Sequence, residues 1–315
     1  MTVNAEKDAD RIQALRSRLR GRVIAATLTP FSSSGSVLRD SVAPYASAVA
    51  ASGVGGLAVG AHTGRGSSLP ASELAWLVGE FGTVTGLPVV AGVAAARGDF
   101  EASLPVASSL VSAGASGLLV YPVPGASPAE IVELHALLGS SLQIPLIVFV
   151  LYSRASGCQY SPATVAELVS LPWVAGVKLA LLDDAMGCQD LIAAARSAAP
   201  STLVLTGEDR MYGPSMMWGA DSALVGIASA LPSWSVAVLD AWMAGDHSAF
   251  VAASMRLDAL AQLTFREPME GYVQRMAWTA QWEGIIPASA AYDPYGPPLP
   301  ASEREELWKA LESLQ

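Results

Sequence analysis

Lysine is scarce in this chain: of 315 residues, only Lys7, Lys178 and Lys309 are lysines. Lys7 sits in a polar N-terminal stretch, and Lys309 lies among the charges of a C-terminal helical pattern. Lys178 is different, because it falls inside Trp173-Val-Ala-Gly-Val-Lys-Leu-Ala-Leu-Leu182, an otherwise apolar run. An ammonium group is almost never taken out of water unless something offsets the loss of hydration. Either the stem packs along apolar surface while the charge reaches water at a strand end, or the amine is desolvated for chemistry. Desolvation can lower a lysine pKa by up to about 3–5. A neutral amine can then add to a ketone or aldehyde and dehydrate to a Schiff base.

The other chemistry-bearing types are sparse. His62 stands in a glycine-rich turn, Ala61-His62-Thr63-Gly64-Arg65-Gly66. An imidazole there either acts as a general acid or base near neutrality or holds the loop with a structural bond. The glycines on either side of Arg65 could admit a carboxylate to backbone N–H groups. His135 lies in a helical pattern and His247 in a polar turn, and both read as structural or exposed. Asp183-Asp184 could form the corner of a metal site, but no His or Glu cluster accompanies them, so they read as a solvated loop. No metal and no cofactor is predicted. Glu208-Asp209 read as structural acids. The segment Arg266 to Glu270, with Arg275, Trp278 and Trp282, reads first as a packed amphipathic helix and second as a lid or subunit contact.

Positioning these groups falls to a repeating pattern. Eight short, near-continuously apolar strands are predicted at Val23–Leu28, Gly56–Val59, Val89–Val93, Gly117–Tyr121, Leu146–Leu151, Ala175–Leu179, Thr202–Thr206 and Ser222–Val225. Continuous apolarity is what strands covered on both faces require. Ala/Leu-rich helical stretches separate them, which makes parallel βα units. Three helices end in similar phrases, Ala51-Ser-Gly-Val, Ala113-Gly-Ala-Ser and Gly219-Ala-Asp-Ser, each turning at once into a strand. Ser127-Pro-Ala-Glu130 spells a capping box with proline at the first helical position, and Ser161-Pro162 opens another helix. The fold class is therefore α/β, a (β/α)8 TIM barrel over residues 1–231 with an N-terminal helical segment. Residues 232–315 form a C-terminal helical appendage, whose last helix is predicted to be capped by Ser302 with Glu305 three residues on. A doubly wound sheet is disfavoured because no GxGxxG follows the first strand. Catalysis in such barrels sits at the C-terminal ends of the strands, and Lys178 falls near the end of the sixth.

Thr29-Pro-Phe31, Pro88-Val-Val-Ala-Gly-Val93, Pro145, Arg154, Gly176-Val-Lys178, Gly207-Glu-Asp209 and Pro297-Pro-Leu-Pro300, in this order and spacing, resemble the dihydrodipicolinate synthase/N-acetylneuraminate lyase family. The resemblance runs from about Gly21 to the C-terminus. It implies a barrel with a C-terminal helical domain, usually a tetramer, that holds pyruvate or another 2-keto acid as an imine on lysine. Lys178 matches that lysine, and Thr63 matches a threonine that serves a proton relay and meets the keto-acid carboxylate. Gly207 matches a glycine whose carbonyl borders the keto acid. Gly64 and Leu224 are expected to line the same ligand. Arg154 matches an arginine that binds a second substrate's carboxylate.

The relay itself departs from the family. His62 stands where the family's first threonine is usual, and Arg65 replaces an acid. The family's catalytic tyrosine position is occupied by Phe149, and its second tyrosine, contributed across a dimer interface, has no match near Pro122-Val-Pro-Gly125. A positioned phenol contributes about 10²–10⁴-fold to proton transfer, which phenylalanine cannot supply. The candidates to replace it are His62 and Tyr152. Period-2 alternation puts residues 149 and 152 on opposite faces, so Tyr152 needs an irregularity to swing inward.

The expected activity is that of a class I lyase, aldolase or dehydratase of a 2-keto acid. The alternative is an impaired barrel that keeps a keto-acid pocket for a binding or regulatory role. A net charge of −10 argues against nucleic acid. No long apolar run escapes Gly, Pro or charge, which argues against a membrane span. Cys158 and Cys188 lack CxxC spacing, and Met1 to Asp10 lacks an apolar signal region, so a reducing cytoplasm is the expected location. A homotetramer or homodimer is expected.

Overall fold

The computed structural model describes residues 2–314, with side chains described from residue 9 onward. Lys7 thus has a placed backbone, and its side chain lies outside the described residues. Eight parallel strands close into a barrel in sequence order: β1 (Val23–Ala26), β2 (Gly56–Val59), β3 (Val89–Val93), β4 (Gly117–Val120), β5 (Leu146–Leu151), β6 (Val174–Ala180), β7 (Leu203–Thr206) and β8 (Ser222–Val225). Closure is made by β1 against β8, with Ile24 opposite Leu224. All eight predicted strands are present. β1, β4 and β7 are shorter by one or two residues, and β6 is longer by one at each end. Every strand residue is buried, as sheet covered by side chains inside and helices outside demands.

The surrounding helices are α1 (Thr2–Leu19), α2 (Arg39–Ala51), α3 (Ala71–Thr85), α4 (Ser103–Ser112), α5 (Pro128–Leu142), α6 (Ser153–Ser156), α7 (Pro162–Val169), α8 (Ala185–Ala198) and α9 (Tyr212–Met217). Ser127 caps α5 in a reciprocal box with Glu130, and Ser161 caps α7. Gly53, Gly114 and Gly219 all take positive φ where helix turns into strand. These are the conformations that their sequence phrases called for.

The two ends of the barrel differ. Ile12, Leu15 and Leu19 of α1 join the interior apolar cluster. Arg16 of the same helix donates to the carbonyls of Ala175 (2.8 Å) and Val174 (3.0 Å), at the start of β6. α1 therefore stoppers the end opposite Lys178.

The C-terminal region comprises α10 (Pro232–Met243), α11 (His247–Thr264), α12 (Tyr272–Glu283) and α13 (Ala301–Glu312). Arg275, with 1% exposure, explains the path between α11 and α12. Its guanidinium donates to the carbonyls of Thr264, Arg266, Glu267 and Pro268, and its Nε bonds Glu303 at 2.7 Å. Five unpaired donors would be costly in such burial, so the chain folds around them. α13 starts one residue before the predicted Ser302 cap. Pro300 holds the N-cap position without a side-chain bond, because its fixed φ of −59° already leads into the helix.

Candidate active site

Lys178 projects from the C-terminal half of β6 and is 5% exposed. Its Nζ lies 4.1 Å from the ring centroid of Phe149, its register partner on β5. Gly207, just after β7, supplies the opposite wall: a Cβ placed there would come 2.6 Å from Lys178 Cε. Only glycine leaves room for the stem. Among the described residues no carboxylate bonds the amine directly. Burial pushes its pKa down, opposed in part by the charges of Asp209 and then Glu208.

Those two acids differ. Glu208 accepts from the backbone N–H groups of Leu181 (2.6 Å) and Leu182 (2.8 Å), so it fixes the turn that leaves β6. Burial pushes its carboxyl up to about 7 against those bonds. Asp209 is likewise raised by burial. Its Oδ1 accepts from Ile227 N–H at 2.7 Å, and that bond together with the nearby Lys178 ammonium pulls the pKa back. The sequence reading of both as structural holds for Glu208. Asp209 also sets the field at the amine.

A hydrogen-bonded chain links the turn after β2 to the C-terminal region. Tyr272, the first residue of α12, has its hydroxyl 3.1 Å from Thr63 Oγ1 and 3.2 Å from His62 Nδ1. His62 Nε2 is 3.1 Å from Glu270 Oε2, and Tyr152 donates to Glu270 Oε1. Arg65 reaches the same Glu270 carboxylate at 3.1 Å and Asp293 at 2.7 Å. Partial burial works against the Glu270 charge, but bonds from His62, Tyr152 and Arg65 hold its carboxyl down at about 2. Arg65 loses hydration yet is held charged by Asp293 and Glu270. Its left-handed φ of 53° aims the side chain across the mouth to the C-terminal region.

A model of the dihydrodipicolinate synthetase family matches residues 19–314. The chain belongs to that family. It is 26% identical over 306 residues to the 4-hydroxy-tetrahydrodipicolinate synthase of Parasynechococcus marenigrum, covering 94% of this chain and 95% of the relative. It is 30% identical over 230 residues to 4-hydroxy-tetrahydrodipicolinate synthase 1 of Streptomyces coelicolor, 72% of each chain. Among solved structures, a prophage protein of the dihydrodipicolinic acid synthase family from E. coli K12, in complex with pyruvate, superposes with a TM-score of 0.84. That match is 22% identical and spans 93% of this chain and 98% of the other.

Set against this family resemblance, the predicted site residues divide. Lys178, Phe149 and Gly207 meet at one point, and Leu224 lies in the same barrel interior. Thr63, His62 and Tyr152 share one network, joined by residues outside the prediction. Tyr152 does turn inward: the chain leaves the strand there, with φ −48° and ψ 138°, and its ring joins the interior cluster. The strand's end supplies the irregularity that alternation alone lacks. Arg154 does not join the site. It is exposed and pairs with Glu267 at 2.9 Å. Gly64 does not offer its N–H, which is spent on the Ala61 carbonyl at 2.8 Å, and Arg65 N–H is spent on His62. The turn is a tight 3₁₀ coil that consumes both donors. Asp184 caps α8, and His135 is buried in α5.

Tyr272, Glu270 and Asp293 are the residues that sequence reasoning missed or set aside. The sequence pattern groups Glu270 with a packed helix, whereas it precedes α12 at the mouth. No local pattern marks Tyr272, since 209 residues separate it from Thr63.

Proposed function

We propose that the protein is a lysine-dependent lyase, aldolase or dehydratase that holds a pyruvate-like 2-keto acid as a Schiff base on Lys178. One observation carries this reading: a buried amine, unpaired by any carboxylate among the described residues, stands at the C-terminal end of a barrel strand. Burial that depresses its pKa raises the neutral, nucleophilic fraction near neutrality. The pyruvate complex of the E. coli relative supports the substrate class. Arg154, bound to Glu267 in solvent, favours a reaction whose second substrate, if any, is not gripped as in the synthases. Phe149 is the one observation that favours the alternative, a keto-acid-binding barrel without turnover.

Borohydride reduction in the presence of pyruvate tests the reading. The expected result is a single reduced adduct that maps to Lys178 and is lost in Lys178→Ala. No adduct across a panel of short 2-keto acids, or an adduct on Lys7 or Lys309, refutes it. An adduct that forms but never turns over with any aldehyde or hydroxy-acid partner selects the binding role.

A further inference from the structure

The family resemblance leaves a specific vacancy, because the phenylalanine at 149 cannot move a proton and no partner-supplied tyrosine is matched. We propose that Tyr272, delivered by the C-terminal helical region of the same chain, is the phenol that carries protons for imine formation on Lys178. The inference rests on the reading of Lys178 as the imine-forming amine.

Gly226, directly after β8, faces both members of the pair: a Cβ there would come 2.8 Å from Thr63 Oγ1 and 3.2 Å from Tyr272 Cε2. The same point is 3.5 Å from Asp209 Oδ1, and Asp209 is the first of the two acids whose charges act on Lys178. The Thr63–Tyr272 pair therefore sits on the β8 side of the mouth, and the charge of Asp209 acts on both Tyr272 and the amine. Tyr152, by contrast, donates its hydroxyl to Glu270, and His62 meets Tyr272 rather than Thr63. Of the three candidate proton carriers, Tyr272 alone bonds Thr63.

The Tyr272 ring stacks on Phe265 at 4.6 Å, and Arg275 staples the intervening turn. A surface tyrosine would need neither. Its hydroxyl also has a route outward. It meets His62 Nδ1, and His62 Nε2 meets Glu270, whose side chain is 36% exposed. A hydroxyl that accepts from one neighbour while donating to the next moves a proton without ionising, so the raised pKa of a buried phenol is no obstacle.

The neutral Lys178 nitrogen attacks the keto carbon, a C–N bond forms, and the C=O π pair moves to oxygen. Through Thr63 and Tyr272, one proton passes from nitrogen to that oxygen, giving the carbinolamine. A second proton, drawn along His62 and Tyr272, reaches the hydroxyl. It leaves as water while the nitrogen lone pair closes C=N. Amine, ketone and one proton become protonated imine and one water.

The test is the rate of borohydride-trapped adduct formation with pyruvate, measured against pyruvate concentration. Tyr272→Phe keeps the stack on Phe265 and removes only the hydroxyl. Its saturating rate is expected to fall by about 10²–10⁴-fold, with the half-saturating pyruvate concentration within about threefold of wild type. Adding Phe149→Tyr to Tyr272→Phe places a phenol at the family position and is expected to recover at least tenfold of the loss. An unchanged saturating rate in Tyr272→Phe, a shift confined to half-saturation, or a double variant no faster than the single one overturns the inference. Wild-type protein that forms no adduct with any 2-keto acid overturns the Lys178 reading and this inference together. An adduct in wild type with no loss in Tyr272→Phe overturns this inference alone.

Discussion

At the scale of single residues, the amine and Asp209 form an electrostatic unit. Asp209 stabilises the Lys178 ammonium, so it opposes the burial that makes the amine neutral. Asp209→Asn keeps an oxygen for the Ile227 N–H and removes the charge. The Lys178 pKa should then fall further, and the pH at half-maximal imine formation should move down by about one unit. The pH–rate profile of adduct formation measures this. A midpoint that stays in place, or moves up, would show that Asp209 does not act on the amine. Lys178 itself was legible in the sequence because a charge inside an apolar run is a local contradiction, visible without any fold. Its helpers were not. Tyr272 stands after a short turn that Arg275 shapes, and its meaning arises only when the C-terminal region folds over the barrel.

At the scale of elements, legibility follows how local the determining physics is. Strand runs, the Ser127 box and the helix-ending glycines depend on neighbours within a few residues, and all are present. The Ser302 cap failed because a Ser-x-x-Glu pattern at a helix start is not unique, and Pro300 starts the helix first. α5 carries a buried element-scale liability. His135 is 1% exposed, its Nδ1 bonds the Ile131 carbonyl at 2.7 Å, and its Nε2 has no partner among the described residues. Burial lowers its pKa to about 4, against that bond, from an ordinary 6.5. Folding therefore favours the neutral ring. The contribution is full above about pH 6.5 and is lost as pH falls through about 4. The linked loss is about 3 kcal/mol. His135→Leu should flatten the fall in stability between pH 6.5 and 4, as read from denaturant midpoints across that range. Parallel curves for variant and wild type would rule out His135 as the acid-sensitive group.

At the scale of the whole molecule, the barrel is stoppered by α1 at one end and crossed by the C-terminal region at the other. The family resemblance implies an oligomer, and we propose at least a dimer that covers exposed apolar side chains of α9 and α11. Met217 on α9 and Val251 and Met255 on α11 are all more than half exposed, on helices in mutual contact. Side chains so apolar are ordinarily covered when they cluster. Light scattering should give a mass of two chains or more at micromolar concentration, and a monomer there would contradict the expectation. The relay makes a sharper claim about what association is for. The Tyr272 phenol, Thr63, His62 and Glu270 all come from one chain, so a protomer carries its own proton path. Met255→Glu, on the face proposed to associate and remote in sequence from the mouth, should shift the population toward monomer. Adduct formation per Lys178 should then stay within about twofold of the assembled protein. A fall of tenfold or more on dissociation, with the fold intact, would mean that a neighbouring copy completes the site, and the proton path would have to be sought across an interface.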